Sequence, residues 1–254
     1  MHLFDLTGKT ALITGASSGL GEQFARCLSS AGARVILAAR RVEKLNALAA
    51  ELNNAKALEM NVADKSSVLR AFHQLEAAGE KIDICINNAG IGTLTPIFGE
   101  DKDSDFENMI QTNLMGVWYV SKAVTNHMRN HGIHGSIINI GSVNGANKLV
   151  AQIGGYCASK AAVIQLTKAL VGELAEHNIR INCINPGYHK TPMTADRVDN
   201  ESTKSELEKQ IPLGFIANPA DIDGLILYLA SNQASRYVTG SIITVDGGIS
   251  WGGS

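Results

Sequence analysis

This chain of 254 residues lacks the segments that would place it in a specialised class. No apolar run approaches the roughly 18–20 residues that a membrane span needs, and residues 1–9 lack the charged start and long apolar core of a signal peptide. Lys and Arg (22) nearly balance Asp and Glu (24), for a net charge of −2, with no basic stripe or polybasic arm. We therefore expect no membrane attachment and no nucleic-acid partner.

Cysteine is scarce, and its four residues form no Cys-x-x-Cys pair. Three of them lie in apolar segments, where a buried free thiol is the ordinary explanation. The sequence thus predicts no structural disulfide, which is typical of a cytoplasmic protein. The four residues are Cys27, Cys85, Cys157 and Cys183.

Histidine offers little for a metal centre. Most of the seven residues are dispersed, and His127, His131 and His134 fall in a polar stretch that runs from a helix end into a loop. No Cys or acidic ligand accompanies these three in the sequence, so we expect no metal site.

Short apolar segments alternate along the chain with amphipathic ones. Strands are predicted at residues 9–14, 34–39, 55–60, 81–86, 135–140, 180–184 and 241–245, and the longest helical patterns cover residues 103–130 and 156–178. This rhythm predicts an α/β fold with a doubly wound, seven-stranded parallel sheet and helices on both faces. No repeat, low-complexity tract or linker divides the chain, so residues 1–254 are predicted to form a single domain.

The first predicted strand ends in a glycine-rich turn from Gly15 to Gly21, and a helical pattern follows. Strand, glycine turn and helix together aim backbone N–H groups and a helix N-terminus at a phosphate. The spacing is Gly-xxx-Gly-x-Gly, not the commoner Gly-x-Gly-xx-Gly. A tight turn without a ligand is the alternative, but its position after the first strand favours dinucleotide binding.

Two arginines follow the second predicted strand. An acidic residue is expected here in an NAD-binding fold, to bind the ribose hydroxyls, but Ala39 is followed by Arg40 and Arg41. A guanidinium suits a 2′-phosphate through bidentate contacts. The pair therefore favours NADP(H), with NAD(H) possible; the alternative is that both arginines begin a solvated helix face.

Tyr156 and Lys160 are four residues apart in an apolar, helical segment, so their side chains share one face of the helix. A free Tyr has a pKa of about 10 and is a poor base near neutral pH. A nearby cation favours the phenolate. One lysine supplies only part of the stabilisation required, so a second cation, such as an oxidised nicotinamide, is expected in the same pocket. The alternative is an ordinary helix with two solvent-facing side chains.

Polar residues and glycines also close the later strands, where doubly wound folds bind ligands. They are the run from Asn87 to Gly90, Ser142, and the pair Pro186 and Gly187. The polar connection at about residues 188–212 is predicted to be a substrate lid, with a disordered surface loop as the alternative.

These motifs together resemble the short-chain dehydrogenase/reductase family over about residues 9–248. The pieces that match are Thr14-Gly15-xxx-Gly19-x-Gly21, Asn87-Asn88-Ala89-Gly90, Asn113, Ser142, Tyr156-xxx-Lys160, Pro186-Gly187 and Val245-Asp246-Gly247-Gly248. The resemblance implies a single-domain Rossmann fold and an NAD(P)-dependent oxidoreductase acting on a ketone or secondary alcohol.

The resemblance also implies a role for individual residues. Tyr156 is expected to be the general acid/base, Lys160 to lower its pKa and hold the nicotinamide ribose, Ser142 to bind the substrate oxygen, and Asn113 to hold a water in a proton relay. Cofactor contacts are expected at Gly15, Ser17, Ser18, Gly19, Leu20, Gly21, Arg40, Arg41, Asn61, Val62, Asn87, Ala89, Gly90, Tyr156, Lys160, Pro186, Gly187 and Thr191.

Three departures from the family pattern concern the cofactor and the substrate. Asn61 replaces the usual Asp at the adenine. Ser142 precedes Tyr156 by fourteen positions, one more than is commonest, and the extra residue is expected to be absorbed in the loop at residues 144–154, which would line the substrate pocket. Ile133 and His177 stand where acyl-carrier-protein reductases often carry arginines. A 3-oxoacyl thioester, a sugar or polyol ketone and a small xenobiotic carbonyl all remain candidates.

Two further expectations follow from the resemblance. The chain is expected to form a homotetramer through the helices at residues 103–130 and 156–178 and the last strand. A dinucleotide-binding sensor without turnover is the alternative outside enzymes; an epimerase or dehydratase on this fold typically has a longer C-terminal part.

Overall fold

A computed structural model of the protein describes residues 3–99, 102–148 and 150–251. Seven parallel strands form one sheet in the order β3-β2-β1-β4-β5-β6-β7, which confirms the predicted seven-stranded doubly wound fold. The strands are β1 Thr10–Thr14, β2 Arg34–Ala39, β3 Ala55–Glu59, β4 Ile84–Asn87, β5 Ser136–Ile140, β6 Arg180–Pro186 and β7 Ile242–Val245.

Helices cover both faces of the sheet. The α-helices are α1 Gly19–Ser30, α2 Val42–Glu51, α3 Lys65–Ala77, α4 Asp103–Met109, α5 Gly116–Asn130, α6 Val143–Ala146, α7 Gly154–Ala169, α8 Val171–Ala175, α9 Ala195–Val198, α10 Glu201–Gln210, α11 Asp223–Ala230 and α12 Asn232–Ser235; short 3₁₀ helices cover Pro219–Ile222 and Ile249–Trp251. None of the helices within the described residues is long and apolar enough to cross a bilayer.

The apolar runs of the central strands are buried on both faces. Successive residues point to opposite sides, so Ile13 and Leu37 join one core cluster while Leu12 and Ile36 join the other. β1 pairs with both β2 and β4, and the chain reverses its winding direction at this point. A crevice therefore opens at the carboxyl ends of β1 and β4, where such folds bind ligands.

The predicted single helix at residues 103–130 is interrupted. Between α4 and α5 the chain forms a π-helix, Ile110–Met115, and Asn113 lies fully buried within it. The Asn113 amide donates to Ile91 O and Ser159 Oγ and accepts from Ile91 N at 2.8–3.0 Å. These tertiary bonds hold the side chain in place, and single-turn π segments are frequent at functional sites.

The segment predicted to be a lid contains two helices that the sequence analysis did not assign. Asn200 caps α10, because its Oδ1 accepts from Ser202 N and Thr203 N. An apolar cluster anchors the segment; its buried members are Val198, Leu207, Ile211, Ile216 and Ile249. Asp64 caps α3, since its Oδ1 accepts from Ser66 N at 2.8 Å.

Candidate active site

A cleft of about 1030 Å³ lies at the carboxyl ends of the central strands. This is at the large end of the range for ligand pockets, which leaves room for a dinucleotide beside a second molecule. The cleft brings together most of the predicted site residues: Gly15, Ser17, Ser18, Gly19, Leu20, Arg40, Arg41, Asn61, Val62, Ala89, Gly90, Ser142, Tyr156, Lys160, Pro186, Gly187 and Thr191.

The glycine turn forms one end of the cleft. Gly15 has φ +68°, and a Cβ there would lie 2.8 Å from Ala89 Cα, so no larger residue fits. Ser18 precedes the first residue of α1, and its side chain makes no capping bond. The N–H groups of the first turn of α1 therefore face the cleft without a side-chain acceptor, which is a suitable arrangement for an anion.

Two serines and an arginine meet at this end. Arg41 donates to Ser17 Oγ at 2.7 Å and to Ser18 Oγ at 2.9 Å. Arg40 is exposed and lines the same cleft. The two hydroxyls and two guanidinium groups form a cationic pocket with several donors, as a phosphate ester requires.

Three predicted site residues lie outside the lining. Gly21 packs beneath the turn, where a Cβ would clash with Asn88 Nδ2 and Gly15 O. Asn87 is buried in the sheet, and Asn113 is fully buried behind the cleft. A Cβ on Gly90 would be 3.3 Å from Asn113 Oδ1 and 3.4 Å from Lys160 Nζ, so Asn113 lies behind the lining close to Lys160.

Asn87 instead belongs to a polar network in the core. Its Nδ2 donates to Ser121 Oγ at 2.9 Å and to Asn139 Oδ1 at 2.8 Å, and Asn139 Nδ2 donates to Thr167 Oγ1. The neighbouring Asn88 lines the cleft, and its Nδ2 donates to Thr14 O. Asn88 therefore occupies the position that the sequence analysis gave to Asn87.

Asn61 and Val62, which follow β3, also line the cleft. Asn61 Oδ1 accepts from Ala63 N at 3.2 Å, and its backbone N–H donates to Ser67 Oγ at 3.0 Å. These bonds fix a turn at the end of β3. The Asn61 amide oxygen therefore already serves one backbone donor.

Ser142, Tyr156 and Lys160 converge at the centre of the cleft. Burial raises the pKa of Tyr156, and hydrogen bonding to Ser142 opposes that shift. Lys160 Nζ lies 5.9 Å from the Tyr156 ring centroid and donates to Ile140 O at 2.8 Å. Burial lowers the pKa of Lys160 to about 8.

This direction differs from the sequence expectation that Lys160 lowers the pKa of Tyr156. Burial has the largest effect on the pKa of Tyr156 and raises it, because removal from water disfavours the charged phenolate. Further positive charge is therefore needed at the phenol before it can act as a base near neutral pH.

The segment after β6 lines the other end of the cleft. Thr194 Oγ1 accepts from Thr191 N at 3.1 Å and donates to His189 O at 2.6 Å, which fixes the turn beyond Gly187. His189 is buried and donates from Nδ1 to Gly187 O at 3.2 Å, while its Nε2 has no partner among the described residues. Burial, the largest influence, lowers the pKa of His189.

Sequence reasoning missed several lining residues. Asn144, Tyr188, His189, Met193 and Arg197 all line the cleft. Four of them lie in the segment at residues 188–212 that was predicted to be a lid, and Asn144 closely follows Ser142, but no pattern in the sequence showed which of these side chains reach the cleft.

Residues 15–250 match the model of a family described as Enoyl-(Acyl carrier protein) reductase. The chain belongs to the short-chain dehydrogenase/reductase family. Members of this family are NAD(P)-dependent oxidoreductases, and the chain is one of them.

Individual short-chain dehydrogenases/reductases match over nearly their full length. Nodulation protein G of Rhizobium sp. (strain N33) is 40% identical, covering 97% of this chain and 99% of that protein. A 3-oxoacyl-[acyl-carrier-protein] reductase of Aquifex aeolicus is 37% identical, covering 96% and 98%. A gluconate 5-dehydrogenase of Burkholderia cenocepacia, solved with NADP and tartrate, superposes with a TM-score of 0.92 at 35% identity, covering 99% of this chain and 100% of that one.

The residues present fit the cofactor of this family. The glycine turn allows close backbone approach, the first turn of α1 offers N–H groups to a pyrophosphate, and Arg41 with Ser17 and Ser18 offers donors to a phosphate ester. These groups lie in a single cleft together with Tyr156.

A separate cluster lies outside the lining of the cleft. Glu76 of α3 lies 2.6 Å from His127 Nδ1 and 2.8 Å from His131 Nε2 of α5. The expectation that no acidic residue accompanies these histidines is wrong in the folded chain. Glu76 is 51 residues from His127 in sequence, and the packing of α3 against α5 brings the two together. The cluster meets the spacing of a metal site.

Proposed function

We propose that this short-chain dehydrogenase/reductase transfers a hydride between NADP(H), or NAD(H), and a ketone or secondary alcohol, with Tyr156 as general acid/base. One observation supports this most strongly: Tyr156, Ser142 and Lys160 meet in the cleft that also contains the glycine turn. The cofactor, when bound, supplies or accepts the hydride.

Each of the three residues has its own task. The Tyr156 hydroxyl donates its proton to the carbonyl oxygen in reduction and removes the hydroxyl proton in oxidation. Ser142 donates a hydrogen bond to the same oxygen as negative charge develops on it. Lys160, held by Ile140 O, is a cation beneath the phenol and favours the phenolate during oxidation. Asn113, close to Lys160, positions the proton relay behind it.

The preference for NADP(H) is supported by the guanidinium groups of Arg40 and Arg41 at the glycine turn, and by the absence of a carboxylate directly after β2. The gluconate 5-dehydrogenase relative was solved with NADP. A 2′-phosphate presents several negatively charged acceptor oxygens to such donors, whereas the 2′-hydroxyl of NAD presents one neutral oxygen.

Within this activity, the substrate is a 3-oxoacyl thioester or a sugar or polyol, as the names of the relatives suggest. The carrier-protein substrate has the weaker support. Carrier-protein reductases often present arginines at two positions that are occupied here by Ile133, which packs against the core, and by His177, which is exposed. Because neither residue is an arginine, neither offers a guanidinium to a carrier protein. The sugar or polyol class is therefore preferred.

Residues 188–212 serve as the substrate lid in this proposal. Met193 and Arg197 of that segment line the cleft, while its apolar cluster is packed behind. Lys148 Nζ lies 3.3 Å from Gln210 Oε1 and connects the lid to the loop that precedes α7. Opening and closing of such a segment controls entry of substrate and water.

The assembly proposed is a homotetramer in the cytoplasm. Exposed aromatic side chains on α4 and α5, Phe106 and Trp118, support an interface on these helices, and four free cysteines support a reducing compartment. Light scattering at micromolar concentration should give four times the chain mass; a monomer mass would contradict the assembly. Cell fractionation tests the compartment.

The activity is tested by following cofactor absorbance while a panel of ketones and alcohols is offered with NADPH, NADH and their oxidised forms. Turnover of a ketone or secondary alcohol, faster with the phosphorylated cofactor, is expected. Tight cofactor binding with no turnover of any member would contradict the proposal and favour a dinucleotide-binding sensor.

A further inference from the structure

Arg197 is a cation at the substrate end of the cleft without a carboxylate partner among the described residues. It lies on α9, lines the same cleft as Tyr156 and is half-buried. Its Nη1 lies 3.4 Å from Tyr188 Oη, a neutral acceptor. A guanidinium carries five N–H donors, so this contact leaves most of them available.

The position of Arg197 is fixed by its neighbours. Tyr188 packs against the apolar cluster of the lid, and Val198 is buried in that cluster. The backbone N–H of Arg197 donates to Thr194 O at 3.0 Å. These contacts fix the backbone from which the Arg197 side chain extends into the cleft, so that less of this segment has to be ordered when a ligand binds.

Arg197 is also close in sequence to Met193, a residue of the lid that lies close to Tyr156 across Gly92. A Cβ on Gly92 would lie 3.3 Å from Tyr156 Cδ2 and 4.0 Å from Met193 Sδ, so Met193 faces the catalytic tyrosine across Gly92. Arg197 follows Met193 by four residues and lines the same cleft. A substrate whose carbonyl is bound by Tyr156 can therefore extend along the lid toward the guanidinium.

The other cations of the cleft have different positions and partners. Arg41 bonds to the serines of the glycine turn beside Arg40, and Lys160 donates to Ile140 O. Asp196 lines the cleft next to Arg197 but forms no ion pair with it. Arg197 is thus the cation available to the distal end of the substrate.

We propose that the substrate is a hydroxy or keto acid, and that Arg197 binds the carboxylate at the end remote from the reacting carbon. This proposal rests on the proposed function and narrows its substrate class. A planar guanidinium binds both oxygens of a carboxylate, which a neutral hydroxymethyl group or a thioester carbonyl cannot match.

Matched substrates that differ only in this group provide the test. D-gluconate and D-glucitol differ in a carboxylate against a hydroxymethyl group at C1, and 4-oxopentanoate and its methyl ester form a second pair for the reverse reaction; D-glucitol 1-phosphate places a phosphate ester at the same end. The wild-type enzyme should prefer the carboxylate of the reactive pair by about tenfold to a hundredfold in kcat/KM, mostly through KM.

Three variants assign that preference to Arg197. Arg197→Met should abolish most of the preference and Arg197→Lys should keep part of it. Lys190→Met removes a charge from the same segment at an exposed position outside the cleft and should keep all of it. A smaller KM for the neutral partner or the phosphate ester, or a carboxylate preference that survives in Arg197→Met, would overturn the assignment while leaving the oxidoreductase activity intact. Failure of every member of a wider panel to react would instead contradict the proposed function.

Discussion

His127 Nδ1 lies 2.6 Å from Glu76 Oε1 and must be the donor in that contact. The other ring nitrogen, Nε2, accepts the backbone N–H of Ile82 at 3.2 Å, and a nitrogen that accepts a hydrogen bond carries no proton in a neutral imidazole. The buried ring is thus fixed as the Nδ1–H tautomer. A metal ion on Nδ1 would require loss of that proton, so we interpret the cluster of Glu76, His127 and His131 as a structural clamp between α3 and α5.

Glu76→Gln should lower the melting temperature, because it removes the charged acceptor shared by two histidines. Hydrogen bonding from His131, the largest cause, lowers the pKa of Glu76 below its usual 4.5. A lowered folded-state pKa gives stability that is fully present above the unfolded value and lost as the pH falls through the folded one. The difference from wild type should therefore persist from pH 7 to about 4.5 and disappear below, as measured by thermal melts.

Glu43→Gln on the exposed face of α2 is the matched control, since it removes a carboxylate that forms no ion pair among the described residues. An equal loss of stability in both variants would show that general surface charge, and not the clamp, is responsible.

Tyr156→Phe should reduce turnover at least about a hundredfold while cofactor affinity stays nearly the same, because only the acid/base hydroxyl is removed. Stopped-flow or steady-state rates measure the first quantity and fluorescence titration with the cofactor the second. Rates close to wild type would refute the acid/base role.

Arg41→Ala should weaken NADPH binding about tenfold or more while NADH binding changes little, because charge-assisted bonds to the 2′-phosphate are lost. Arg41, and not Arg40, bonds to Ser17 and Ser18, so it is expected to have the larger effect. Arg40→Asp should shift preference toward NAD(H) by repelling the phosphate. Paired titrations with both cofactors measure these changes, and an unchanged cofactor ratio in both variants would remove the argument for NADP(H).

Lys160→Met should stabilise the protein and abolish activity. Burial lowers the pKa of Lys160 from 10.5 to about 8, and the difference corresponds to about 3 kcal/mol of unfavourable burial of the charged form. This lowered pKa means that the unfolded state binds more protons between pH 8 and 10.5, so wild-type stability rises across that window. The advantage of the variant in melting temperature should thus be largest below pH 8 and shrink above it; a variant less stable than wild type at pH 7 would contradict this.

The sequence predicted the sheet well because its signals are local. The apolar run at residues 34–39 became β2 with the same bounds, and the run at residues 135–140 became β5, which begins one residue later. The missed features depend on contacts between distant residues. Glu76 reaches His127 only when α3 packs against α5, and Arg197 reaches the cleft only when the lid folds over it.

The prediction named Asn87 as a cofactor contact, but the neighbouring Asn88 is the residue that lines the cleft. Successive side chains in a strand point to opposite sides, so an error of one residue moves a group from the cleft to the core. Asn87 is the last residue of β4, in register with Asn139, and its side chain points into the core network, while Asn88 follows the strand and lines the cleft. A motif match alone does not distinguish the two positions.

Asn87→Ala should therefore affect stability more than cofactor binding. The variant leaves Asn139 Oδ1 without its donor in the sheet and weakens the chain of bonds from β4 through Asn139 to Thr167 of α7. A buried polar group without a partner costs about 1–3 kcal/mol, so the free energy of unfolding should fall by about that amount. Urea unfolding measures the loss, and NADPH titration should give an affinity within about twofold of wild type.

Asn88→Ala is the matched comparison, because Asn88 lines the cleft and its Nδ2 donates to Thr14 O. This variant should weaken NADPH binding. A variant of Asn87 that keeps full stability but loses cofactor affinity would restore the original sequence prediction for that residue.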